Sequence, residues 1–227
     1  NLDAVASNMK SMRENLPAST LIMGSVKADG YGHGSVPIAK TIEPYVFGYA
    51  VATIDEGIIL RRHGINKTIL ILGVTHESQY EELLRYDIRT AMFQYEKAKK
   101  LSDLAVKQGK KAVVHLALDT GMSRIGMKAD REHAKEAASI AALEGIEVEG
   151  LFTHFARADE TDKSAYEEQY RRYKEFLGYL EELGVQIPIR HCSNSAGIVE
   201  SLESNHMDMV RAGIAIYGMY PSDEVDH

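Results

Sequence analysis

The chain of 227 residues is 44% hydrophobic and 26% charged, the balance of a globular protein with room for one large α/β domain. Its net charge of −7 argues against a nucleic-acid surface, and no apolar run approaches the roughly 20 residues of a membrane span. One cysteine, Cys192, excludes an internal disulfide and fits a reducing compartment, so a cytoplasmic location is expected.

The N-terminus opens on a helical pattern with no signal peptide. Leu2, Val5, Met9, Met12 and Leu16 recur every three or four residues, which predicts an amphipathic helix over 2–15 stopped by Pro17. The apolar run 21–26 reads as the first strand and ends at Lys27; a helix follows at 35–43. Strands are then expected at 46–52, 68–72 and 89–93. Helices at 55–62, 77–85 and 95–108 separate them, the first closed by Gly64 and the last by Gly109. Asp55 and Glu56 read as the cap of the helix at 55.

Further strands are expected at 112–118, 148–153, 187–192 and 209–217, with helices at 130–143, 163–183 and 195–202 between them. Tyr166, Tyr170, Tyr173, Leu177 and Leu180 share one face of the longest helix and read as core packing. Eight apolar strands alternating with helices predict a parallel sheet covered on both faces. Eight such units in this length predict a (β/α)8 TIM-type barrel as a single domain over 1–227, with an open doubly wound sheet as the alternative.

A barrel collects its chemistry at the C-terminal ends of its strands. Lys27 follows the first strand, within Ser25-Val26-Lys27-Ala28-Asp29-Gly30-Tyr31-Gly32-His33-Gly34. A partly desolvated lysine there is placed to condense with an aldehyde; a solvated lysine in a glycine-rich turn is the lesser alternative from the decamer alone. Asp119-Thr120-Gly121-Met122-Ser123-Arg124 follows the fifth strand, His154 ends the sixth, and Ser193-Asn194-Ser195 follows the seventh. Arg211 and Gly213 lie in or at the end of the eighth.

Ser195 at a helix start, with Gly213-Ile214 beside it, reads as a phosphate site or as a plain helix cap. A phosphate site near a rim lysine points to pyridoxal 5′-phosphate. Arg124 would pair with the cofactor's phenolic oxygen or a substrate carboxylate, or form a surface ion pair. Arg211, inside an apolar strand, requires a buried partner, and a guanidinium facing the pyridine nitrogen would keep it unprotonated. His154 would orient Arg211, stack near the ring, or sit as a satisfied core histidine. His33, His115, His191 and Cys192 have no metal-ligand spacing, and no G-x-S-x-G elbow or Walker pattern is present.

At these residues the sequence resembles the alanine racemases, specifically their N-terminal barrel domain. The matching stretches are Val26 to Gly34, Asp119 to Gly126, Thr153-His154-Phe155, His191 to Ala196 and Val210 to Gly218, in family order. The resemblance implies a pyridoxal-phosphate enzyme that interconverts L- and D-alanine for the cell wall. It implies Lys27 as the Schiff-base lysine and one of two bases, and Tyr31 on the phosphate. Arg124 falls near the phenolic oxygen, and His154 with Arg211 at the pyridine nitrogen. Asn194, Ser195, Gly213 and Ile214 fall around the cofactor phosphate. No metal is implied.

Two departures stand out. Many relatives carry a lysine, often carbamylated, two residues before the Asp119 position; here it is Ala117. The family also continues into a C-terminal β domain that supplies a tyrosine base across a homodimer interface, and these 227 residues contain no counterpart. The expectation is therefore a chain that binds cofactor and racemises poorly alone. A pyridoxal-phosphate carrier without turnover, and a racemase of serine or other amino acids, are the alternatives.

Overall fold

The computed structural model describes residues 1–225, so the last two positions of the expected 1–227 span lie outside the described residues. Among the described residues, eight parallel strands close into a barrel. Numbering these strands alone, they are β1 Leu21–Ser25, β2 Gly48–Val51, β3 Thr68–Ile71, β4 Arg89–Met92, β5 Ala112–Asp119, β6 Ile146–Phe152, β7 Ile189–His191 and β8 Met209–Ala212. Each pairs with its sequence neighbour, β8 returns to β1, and no edge is left. An open sheet is thereby excluded, and the fold is the TIM-type barrel that the strand count predicts. A two-residue strand, Met127–Lys128, adds to the end of β5.

Two apolar layers follow from strand alternation. Met23, Ala50, Leu70 and Met209 point inward and fill the barrel interior. Outward residues such as Ile22, Tyr49, Ile69 and Val210 join the helices in the larger core. The helix Ser164–Glu182 buries Tyr166, Tyr170, Tyr173 and Leu180, as its stripe predicts, and Phe176 besides, while Leu177 is only partly covered. The Tyr173 hydroxyl donates to Leu151 O at 2.7 Å and accepts from His191 N at 3.1 Å, which ties the helix to β6 and β7.

Three expectations are corrected. The last strand stops at Ala212 rather than running to 217; Gly213 (φ −120°, ψ −111°) turns the chain into a 3-10 helix over Ile214–Tyr217. The periodicity there is apolar throughout, which does not distinguish a strand from a buried turn. The helix Ile54–Arg62 is capped by Thr53, whose hydroxyl accepts from Glu56 N at 3.4 Å. Glu56 instead accepts from Ala28 N at 2.8 Å and Ala52 N at 2.7 Å, clamping the loop after β2 to the segment after Lys27. The helix after β7 is also shorter than expected, Ser195–Val199.

Gly48 shows how closely β2 and β3 approach. A Cβ there would stand 2.5 Å from Thr68 O and 2.8 Å from Thr68 Cβ. Gly48→Ala is expected to cost about 1–3 kcal/mol, as overpacking of a closed interior does. The check is a lower urea midpoint at unchanged slope.

Candidate active site

The site is built from the segments that leave the C-terminal ends of the strands. After β1 the backbone makes an uncommon turn: Ala28, Asp29, Gly30 and Tyr31 all have left-handed φ, at 51°, 51°, 62° and 53°. For the non-glycine members this costs about 1–2 kcal/mol per residue. Local bonds hold it. Gly30 N donates to Val26 O, Gly34 N to Asp29 O, Ser35 N to Asp29 Oδ1, and Ala28 N to Glu56. The turn lifts Lys27 to the rim, with Nζ 5.8 Å from the Tyr31 ring centroid. Tyr31 packs against Tyr217 at 4.9 Å between centroids, and the Tyr217 hydroxyl donates to Ser25 O at 2.9 Å.

A cavity of about 270 Å3 opens at the C-terminal end of the barrel. Lys27, Tyr31, His154, Asn194, Ser195, Arg211, Gly213 and Ile214 all line it. Of the residues given a catalytic or cofactor role from the sequence, all except Arg124 thus meet in one space. Arg124 is exposed on the loop after β5 and borders an adjoining pocket with His154 and Arg211. Ala117 packs with Ala91 and Phe152, so β5 sends no side chain to brace it. Asp119 serves the same loop, accepting from Gly121 N and Ser123 N at 2.9 Å each.

One corner of the cavity gathers small polar groups. The cap of the helix at 195 is Asn194, which accepts from Gly197 N at 3.1 Å. Ser195 is released from that task. Its Oγ accepts from Gly213 N at 2.9 Å and Ala215 N at 3.4 Å, so its own O–H remains to be donated. A Cβ on Gly213 would sit 3.3 Å from Tyr31 OH and 3.4 Å from Ser195 Oγ. Glycine therefore leaves a notch walled by two hydroxyls, a set of neutral donors suited to a phosphate.

Arg211 lies deeper, 4% exposed, and no carboxylate pairs with it among the described residues. Its guanidinium donates to Thr153 O at 2.6 Å, His191 O at 3.0 Å and Cys192 O at 3.2 Å, three carbonyls at the ends of β6 and β7. The contact to His154 Nδ1 is long, 3.4 Å; the better ring partner is His191 Nδ1 at 2.9 Å. Burial pulls the guanidinium down to about 10, still charged at neutral pH.

His191 opens a chain of polar groups that runs away from the site through the barrel. His191 Nε2 meets His115 Nδ1 at 2.8 Å, and His115 Nε2 meets Glu149 Oε2 at 2.9 Å. Arg89 completes it at 3.4 Å from the same oxygen. A guanidinium only donates, so His191 Nδ1 must accept; its Nε2–H then donates to His115, whose Nε2–H donates to Glu149. Burial pushes His191 well down and lowers His115 against the pull of Glu149, so the Glu149 contact is a hydrogen bond to neutral imidazole. Burial raises the Glu149 carboxyl, but His115 and Arg89 outweigh it and leave it below its ordinary range. Gly150 makes room for the ring, since a Cβ there would stand 2.4 Å from His115 Nδ1.

His191, His115, Glu149 and Glu56 are neighbours of the site to which the sequence assigns no part in it. The two histidines stand as polar residues in apolar strands, a legible anomaly. Their pairing across β6 is not, because it depends on strand register and on the space that Gly150 leaves between them.

His154 is pushed down to about 3, first by burial and then by Arg211, Arg124 and Lys27. The depressed histidines stay neutral in the native state, whereas the unfolded chain binds their protons below about 6.5. Stability is therefore full above that pH and falls as pH drops through it, by at most about 1.4 kcal/mol per pH unit for each histidine. Urea midpoints taken from pH 7.5 to 5 should decline, and His154→Asn should flatten the decline. A midpoint independent of pH would contradict the assignment of neutral rings.

Comparisons with known proteins identify the family and its fold. The family model described as alanine racemase, N-terminal domain, matches residues 1–221. An alanine racemase of Desulforamulus reducens is 44% identical over 227 residues, covering 100% of this chain and 61% of that protein. One of Clostridium perfringens is 45% identical over 225 residues, covering 99% and 58%. Among solved structures, the Clostridium difficile alanine racemase in complex with cycloserine superposes with a TM-score of 0.97 at 42% identity, covering 99% of this chain and 62% of that one. The Bacillus anthracis alanine racemase with bound L-Ala-P gives 0.92 at 35%, covering 98% and 57%. The chain spans about three-fifths of the length of these relatives. With a match over nearly all of its residues, the chain belongs to the alanine racemase N-terminal domain family.

Proposed function

We propose that this chain is the cofactor-bearing barrel of an alanine racemase, which holds pyridoxal 5′-phosphate and takes L- and D-alanine as substrates. One observation carries the reading. A single cavity joins a rim lysine, a notch of neutral donors and a buried guanidinium. Bound pyridoxal phosphate supplies an electron sink for charge developing at the substrate α-carbon.

The chain's own residues do the rest. Lys27 Nζ would hold the cofactor through its aldehyde and, as a free amine, would be the base on one face of the substrate α-carbon. The Ser195 and Tyr31 hydroxyls would anchor the phosphate, with Asn194 and Ile214 beside them and Gly213 leaving the room. Arg211 offers only N–H donors, so it would hold a pyridine nitrogen as an acceptor and keep it unprotonated. His154, neutral and half-buried beside Arg211, fills the rim without adding charge. Arg124, free of any β5 brace, is available to a substrate carboxylate. A second base is needed on the opposite face. The reading assigns it, with the homodimer, to the part of the relatives' length that this chain does not span, and places the whole protein in the cytoplasm.

The test is chemical trapping. After incubation with pyridoxal phosphate and reduction with borohydride, peptide mapping should find the cofactor's mass on the peptide that contains Lys27. Lys27→Ala should lose it. No adduct on the unaltered chain, or an adduct that survives Lys27→Ala, would overturn the reading.

A further inference from the structure

Two buried side-chain atoms lack a hydrogen-bond partner among the described residues, Ser25 Oγ and Asn205 Oδ1. Asn205 lies away from the cavity, and its amide nitrogen donates to Gly197 O at 2.7 Å. Ser25 is different: it lines the cavity while only 5% exposed.

Strand geometry says which way Ser25 points. Along β1, Met23 belongs to the barrel interior, and a Cβ on Gly24 would meet Ile42 and Val46 on the helical side. Alternation returns Ser25 to the inner face. Its partner on β2 is Ala50, an interior apolar residue. On the other side Met23 pairs with Arg211 and Gly24 with Ala212, so the same register sets Ser25 beside Gly213. The hydroxyl thus lies one layer above Arg211, next to the notch of Tyr31 and Ser195, and two residues before Lys27.

A hydroxyl buried without a partner costs about 1–3 kcal/mol. Alanine would fill the position without that cost, as Ala50 does next door. No described group bonds the hydroxyl, and the Ser25 carbonyl is taken by Tyr217. The remaining source of a partner is whatever enters the cavity.

We propose that Ser25 is a further cofactor-binding residue, whose hydroxyl gains its hydrogen bond by donating to an oxygen of phosphorylated pyridoxal when that molecule fills the cavity. The proposal rests on the pyridoxal-phosphate reading and adds a residue on the inner wall of the same site. It also makes an unusual demand: the hydroxyl destabilises the empty protein and strengthens the filled one.

Ser25→Ala tests both halves. Equilibrium dialysis against pyridoxal phosphate should show affinity about 3–10-fold weaker than that of the unaltered chain, the loss of one neutral hydrogen bond. Thermal melting of the cofactor-free protein should give a midpoint equal to or higher than that of the unaltered chain, because an unsatisfied polar group has been removed. Affinity within twofold of the unaltered chain would overturn the proposal. So would a parallel fall in affinity and in cofactor-free stability, which would make the hydroxyl a structural or water-bound group. Failure of the unaltered chain to take up pyridoxal phosphate would instead bring down the parent reading, and Ser25 with it.

Discussion

A guanidinium enclosed in the barrel, without a carboxylate beside it, is the constraint from which the site takes its shape. An unpaired charge in such surroundings is costly. Arg211 meets that cost with three main-chain carbonyls and one imidazole nitrogen. The carbonyls of Thr153, His191 and Cys192 can converge on it because β6 and β7 end at the same level. The imidazole must be neutral and must accept, which dictates the proton positions on His191 and then on His115. A single buried charge therefore orders strand ends, ring tautomers and a glycine at position 150.

The rim depends on a second arrangement of opposite character. Where Arg211 is held by many bonds in a rigid layer, Lys27 stands on a left-handed turn whose strain is offset by Glu56 and Asp29. Backbone conformations of this kind persist where the surroundings over-determine them. Glu56 reaches the turn from the next β–α unit, so the position of Lys27 is set by two consecutive units. The notch formed by Tyr31, Ser195 and Gly213 is likewise shared between both ends of the chain, brought together where β8 closes on β1.

Periodicity and strand count made the barrel legible, and the rule that chemistry gathers at C-terminal strand ends brought out Lys27, Asn194, Ser195, Arg211 and Gly213 together. Resemblance supplied the roles. Other features escaped the sequence for geometric reasons. Glu56 reads as a helix cap because its carboxylate has local N–H groups in range, yet its partners are Ala28 and Ala52. Ser25 reads as one more residue of an apolar strand, since a serine in a strand says nothing about whether its hydroxyl finds a partner. His115 and His191 are 76 residues apart and meet only across β6. The 3-10 turn after Ala212 hides inside an apolar run that any strand could have used.

The polar chain beneath Arg211 has one more property. Its donors all point the same way, from guanidinium to imidazole to imidazole to carboxylate, which is the arrangement of a proton wire. Yet its first member is a guanidinium, still charged at neutral pH even after burial brings it down to about 10, and both rings resist taking a proton. The chain carries polarisation toward Glu149 and carries no current. For chemistry that moves protons at the mouth, the filling of the barrel is an insulator.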